Sequence, residues 1–156
     1  MSYKYFSLPN KTKKLLHLYL NLPFKDKKIN CPFWMNNLEK NIRGPFSGKG
    51  TPRQIVYATR LKAQKFKINL NDLNQKELRS FMKKHKIGID CSGFVFHLAN
   101  CFDKEKGGQG IATKLLKNNN LPSWRAAWRI NADRLTSSAF TREIPLKNIK
   151  IGDLIR

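Results

Sequence analysis

The chain has 156 residues, 40% of them hydrophobic, which is enough for one domain with a modest core. That composition excludes a disordered or collagen-like polypeptide, and three cysteines are too few and too uneven for a disulfide scaffold. Lys and Arg number 31 against 10 Asp and Glu, a formal net charge of +21 spread along the whole length. A surface of that sign attracts polyanions over long range, so nucleic acid, anionic lipid and acidic cell-wall polymers are all admissible partners. The excess of Lys over Arg and the abundance of Asn fit a solvated basic surface better than a set of phosphate forks, which favour Arg.

In chain order, Asn10 is expected to cap a first helix presenting Leu15, Leu16, Tyr19 and Leu20 on one side, with Pro23 ending it. This apolar stretch is interrupted by His17 and Asn21 and falls short of the roughly 20 apolar residues of a membrane span. No signal peptide is evident, so the chain as it stands is expected to be soluble and cytoplasmic. Residues 30–50 are punctuated by Pro32, Gly44, Pro45, Gly48 and Gly50 and should be irregular, with a short buried segment at 31–35 that includes Trp34.

Thr51-Pro52-Arg53-Gln54 combines a capping residue, a proline at the first helical position and a capping-box glutamine. A helix to about Lys65 follows, burying Ile55, Ala58 and Leu61. Asn74 and Glu77 repeat the capping-box pattern before Leu78, Phe81 and Met82, in a helix ending near Lys84. From Cys91 the apolar positions fall at Phe94, Val95, Leu98, Ala99 and Phe102, the spacing of a helix with one buried face. Ile111, Ala112, Leu115 and Leu116 predict a short helix stopped by the Asn118-Asn119-Asn120 run and Pro122. Trp124 and Trp128, four apart, would share a helix face, with Arg125 and Arg129 alongside. Leu146, Ile149 and Ile151 lead to Gly152-Asp153-Leu154, a turn entering a strand that would keep an unpaired edge. The expected fold class is α+β, a single domain over 1–156 with a helical N-terminal region at 1–84. Residues 85–156 would hold a further helix and a sheet that has barely begun.

Cys91 stands out chemically. It falls in the first turn of the best-defined helix, where backbone N–H groups are unpaired and the helix dipole favours negative charge. A thiol there gives up its proton more readily, and the thiolate is the nucleophile. Asp90 is placed to cap the helix. Its charge would oppose a thiolate, so it should turn toward the amides and away from sulfur. Gly93 permits close approach of backbone or substrate. Ser92 is a first-turn residue. The plain alternative is that Cys91 is a core thiol on an amphipathic face. No Cys or His spacing suits zinc, and neither metal nor organic cofactor is implied. The sparse cysteines leave room for a Cys31–Cys101 disulfide.

The string Asp90-Cys91-Ser92-Gly93-Phe94-Val95 resembles the nucleophile motif of NlpC-type peptidases, papain-like enzymes that cut peptidoglycan stem peptides. A second landmark of that family, a Gly-Asp-Leu turn opening the sheet, is similar to Gly152-Asp153-Leu154. The resemblance covers about 85–156 and implies a papain-like fold, the Cys91 helix packed on an antiparallel sheet that is cut short. It implies a cysteine peptidase or amidase with Cys91 as nucleophile and the N–H of Cys91 or Ser92 helping to hold the oxyanion. The substrate class would be a peptidoglycan peptide, with an anionic cell-wall polymer as partner. The family's general base is a His on the strand after the Gly-Asp-Leu turn, so it is not expected among residues 1–156, and this stretch alone should be inactive. His97 lies about 600° around the helix from Cys91, His17 is on a distant helix, and His85 could reach sulfur only by folding back. Two rivals remain: a basic nucleic-acid-binding protein in which Cys91 is core, and an accessory module that keeps the fold without the base.

Overall fold

The computed structural model describes residues 7–116, 123–138, 141–150 and 153–154. Helices and one small antiparallel sheet make up these residues, an α+β mixture. Helix α1 spans Asn10–Leu20 and packs along a later helix, α4 (Cys91–Glu105). A hairpin follows at once, with β1 at Leu22–Phe24 and β2 at Lys27–Ile29, in the register Leu22 to Ile29 and Phe24 to Lys27. Its two-residue connection, Lys25-Asp26, carries Asp26 at φ 56°. The hairpin is stabilised from outside: Leu22 and Ile29 are each buried in the core. Lys27 Nζ donates to the carbonyls of Leu70 at 2.7 Å and Asn71 at 2.9 Å. The sheet therefore comes early in the chain, where sequence patterning marks only a helix stop. Three-residue strands are too short for an alternating signal, and Lys-Asp is not a favoured hairpin turn.

Helix α2 (Pro52–Lys65) opens on the full capping box of Thr51 and Gln54. Helix α3 (Gln75–Lys84) opens on the equivalent box of Asn74 and Glu77 and buries Leu78, Phe81 and Met82. Helix α4 runs from Cys91 to Glu105, three residues past the last of its apolar positions, Phe102, with Asp90 as N-cap. Helices α5 (Ile111–Leu116) and α6 (Ala132–Leu135) flank a 3-10 segment at Ser123–Arg129. The Asn118-Asn119-Asn120 run and Pro122 lie outside the described residues.

Several expectations are corrected. Asn10 does not cap α1. Pro9 precedes the helix, and the cap comes from Glu105 at the far end of α4, whose carboxylate accepts from the N–H groups of Lys11 at 2.8 Å and Thr12 at 2.9 Å. Leu20 and Leu61 are exposed, because α1 and α2 each bury a narrower stripe than their apolar positions would allow. In the 31–35 segment only Pro32 is fully buried, Trp34 is half-buried, and Phe33 and Met35 face solvent. The Trp-Arg-Ala-Ala-Trp stretch is 3-10 and not α-helical, so a four-residue spacing no longer marks one face. All three cysteines are free thiols.

The largest correction concerns α4. Its buried residues are Ser92, Gly93 and Phe96, while Phe94, Val95, Leu98 and Phe102 are half-buried and Cys91 is exposed. Neighbours lie on two sides of this helix. Phe94 joins a core built from α1, the hairpin, α2 and α3, containing Tyr19, Leu22, Ile55, Leu78, Met82 and Ile87. Phe96 belongs to a second cluster with Ala112, Ala126, Ala127, Ile130 and Leu135. A helix wedged between two clusters hides a seam on either flank, which a one-face periodicity does not describe.

Candidate functional site

The site is built around the first turn of α4. The backbone reaches it by Ile87-Gly88-Ile89, held against the 32–34 stretch by Ile89 N–H to the Pro32 carbonyl at 3.0 Å and Trp34 N–H to the Ile89 carbonyl at 3.1 Å. A Cβ at Gly88 would collide with the Pro32 carbonyl, so only glycine passes there. Asp90 then donates its N–H to the Gly48 carbonyl at 2.8 Å and turns its side chain into the protein. Its Oδ1 accepts from the Gly93 N–H at 2.6 Å, the bond of an N-cap to the third helical residue. The Phe94 N–H returns to the Asp90 carbonyl at 3.0 Å. Among the described residues, the N–H groups of Cys91 and Ser92 are the two in this turn with no protein acceptor.

Cys91, the first helical residue, is exposed. Against the neighbouring Asp90, Ser92 and Gly93 lies a residue that sequence reasoning passed over. Lys49 is buried, its Nζ 2.6 Å from Asp90 Oδ2 and 2.6 Å from Ser92 Oγ. Ser92 is also buried, and its hydroxyl donates to Asp90 Oδ1 at 3.1 Å. The Asp90 carboxylate is thus enclosed by three donors, one of them a full positive charge. Gly93 has a matching role: a Cβ there would lie 3.0 Å from both Cα and Cγ of Lys49. The motif's glycine lets α4 press onto the Lys49 backbone. No pattern distinguishes Lys49 among the chain's many lysines, although its position between Gly48 and Gly50 marks a closely packed backbone.

The histidines are accounted for elsewhere. His97 Nε2 donates to the Lys49 carbonyl at 2.9 Å, which fixes its proton on that nitrogen. Burial holds its pKa below the ordinary value, and the Lys49 charge adds to this, while the carbonyl bond and Asp90 oppose it. His85 stacks on Phe66 at 4.7 Å between centroids and meets Phe81 edge-on at 4.4 Å. His17 is exposed in the last turn of α1. None of the three hydrogen-bonds the Cys91 sulfur. Asp153 accepts from the Lys150 N–H at 2.7 Å and returns its own N–H to the Lys150 carbonyl at 3.1 Å, closing a turn; Gly152 lies outside the described residues.

The other two thiols are less exposed than Cys91. Cys31 is half-buried against the first core, and burial pushes its thiol up to about 12, with Arg79 and the Ile89 N–H pulling the other way. Cys101 is half-buried on α4. Among the described residues no group of three or more His, Cys, Asp or Glu could hold a metal ion, and no helix is long and apolar enough to cross a membrane. Comparison with protein-family models, curated proteins and solved structures finds no match. The chemistry the arrangement supports is therefore read from its own geometry: an accessible thiol at a helix N-terminus, two free N–H groups beside it, and a neighbouring carboxylate neutralised from below.

Proposed function

We propose that this chain bears the nucleophile of a papain-like cysteine peptidase or amidase of the NlpC type, acting on amide bonds of cell-wall peptides. The observation that supports this most is the position of Cys91, exposed at the first residue of α4 with the Asp90 carboxylate turned away into the protein. The Asp-Cys-Ser-Gly string supplies the family, and the +21 charge suits an anionic cell-wall polymer as the surface on which such an enzyme works. In this reading the Cys91 thiolate bonds to the carbonyl carbon of the scissile amide. The N–H groups of Cys91 and Ser92 receive the oxyanion. The C–N bond then breaks, the amine leaves with a proton, and water hydrolyses the thioester to release acid and thiol. By the family pattern, the base that moves the proton is a His.

The test is covalent capture. A cell-wall stem peptide ending in a vinyl sulfone is incubated with the chain, and adducts are mapped by mass spectrometry. One adduct at Cys91 is expected, lost in Cys91→Ala and formed more slowly with a scrambled peptide. Equal modification of Cys31, Cys91 and Cys101, or equal rates with the two peptides, would overturn the reading.

A further inference from the structure

We infer that Lys49 is a positioning residue for Cys91, its buried ammonium cancelling the Asp90 charge so that the Asp90 cap does not oppose the neighbouring thiolate. The inference rests on Cys91 as the reacting group. Its structural basis is independent of that reading. Asp90 serves α4 well as an N-cap, but it also sets a carboxylate one residue from the sulfur. Carboxylate and thiolate repel, and burial of the Asp90 end weakens the screening that solvent gives the exposed sulfur. A buried carboxylate survives when it is paired and fully hydrogen-bonded. Lys49 Nζ meets Oδ2 at 2.6 Å, while Gly93 N–H and the Ser92 hydroxyl take Oδ1 at 2.6 and 3.1 Å.

The lysine is itself held from several directions. Its N–H donates to the Phe46 carbonyl at 3.0 Å, its carbonyl accepts from His97, and its backbone bridges to Ile89. Gly93 lies against its Cα and Cγ, so the motif's glycine and serine both serve to seat it. A lysine wanted only for solubility would be at the surface, where most of this chain's lysines are. This one sits in the protein beneath the first turn of α4.

The experiment measures iodoacetamide labelling of Cys91 at fixed neutral pH, with Cys31 and Cys101 in the same molecule as references. Lys49→Met leaves the carboxylate uncompensated and should slow Cys91 about tenfold. Asp90→Asn keeps a capping side chain and removes the carboxylate, and should speed Cys91 severalfold. The double variant should return to within about twofold of the wild-type rate, since neither charge remains. Loosening of the fold cannot produce this pattern, because it would speed all three cysteines in both single variants. If Lys49→Met does not fold, Asp90→Asn and the double variant still decide. Unchanged labelling in both, or a rise shared with Cys31 and Cys101, overturns the inference. The vinyl sulfone peptide is run on the same variants. Opposite-signed iodoacetamide rates with no preference for the stem peptide would retain Lys49 and discard the peptidase reading.

Discussion

The two hydrophobic clusters on either side of α4 are built differently. The first is made of large side chains: Tyr19, Leu22, Ile29, Ile55, Leu78, Met82 and Ile87 each expose 2% or less of their surface. Among the described residues the second holds Phe96, Ile130 and Leu135 with three alanines, and half-buried Val95, Ile111 and Trp128 pack against it. An alanine brings little apolar area, so fewer square ångströms are removed from water per residue ordered. The first turn of α4 lies at the seam. Lys49 and Asp90 lie toward the first cluster, and Ser92 Oγ reaches the Ile130 carbonyl of the second at 3.5 Å. Phe46 and Trp128 face each other across it, 6.5 Å between centroids. The lesson is that the candidate nucleophile stands between a cluster of large side chains and one that, among the described residues, is richer in alanine.

The largest effect should come from the seam itself. Lys49→Met leaves a buried carboxylate without its partner and should lower stability by about 3–5 kcal/mol, of which most returns on adding Asp90→Asn. Urea unfolding of the three variants measures it, and a loss no larger in the single variant than in the double would deny the ion pair its place. Next comes a direct contrast of the clusters. Leu78→Ala should fall in the upper part of the range of about 2–5 kcal/mol for such truncations, and Leu135→Ala near its lower end, because thinner packing collapses more readily into the space left. Equal losses would erase the distinction between the two halves. Caps are smaller: Asn74→Ala should cost about 1 kcal/mol, read from the same urea curves.

The acid response sharpens the comparison further. Burial lowers the His97 pKa, so folded His97 binds a proton less readily than the unfolded chain, which takes one near pH 6.5. Stability is full above that pH and falls as pH drops below it, toward the folded value. His97→Gln should flatten the change in urea midpoint between pH 7.5 and 5.5, and an unchanged slope would show that His97 is not its source. Glu105 acts in a more acidic window. Desolvation raises its pKa, but the Lys11 and Thr12 N–H bonds, the Thr12 hydroxyl and the Lys11 charge outweigh it and leave the group lowered. Its contribution is present above the ordinary carboxylate range and is lost as pH falls through the folded value. Glu105→Gln should therefore reduce the loss of α1 helicity seen by circular dichroism between pH 5 and 3, the smallest effect of the set.

Local chemistry was legible in the chain. Thr51 with Gln54, Asn74 with Glu77, and Asp90 ahead of Cys91 all mark helix starts that are present, because a cap needs only a side-chain oxygen at a fixed offset from an unpaired N–H. Cys91 at a helix N-terminus followed from the same logic. What only the tertiary structure decided depends on residues distant in sequence. Glu105 replaces Asn10 as the cap of α1 from 93 positions away. The hairpin at 22–29 exists because the core buries Leu22 and Ile29, not because its own residues favour strands. The apolar pattern of α4 misplaced its buried face because two clusters cover the helix from different sides, and Cys91 is left in solvent for that reason. Lys49 meets Asp90 across 41 positions, and no local rule singles out one lysine among 22. Its selection comes from the way Gly93 lets one backbone lie on another, a contact that exists only once the chain has folded.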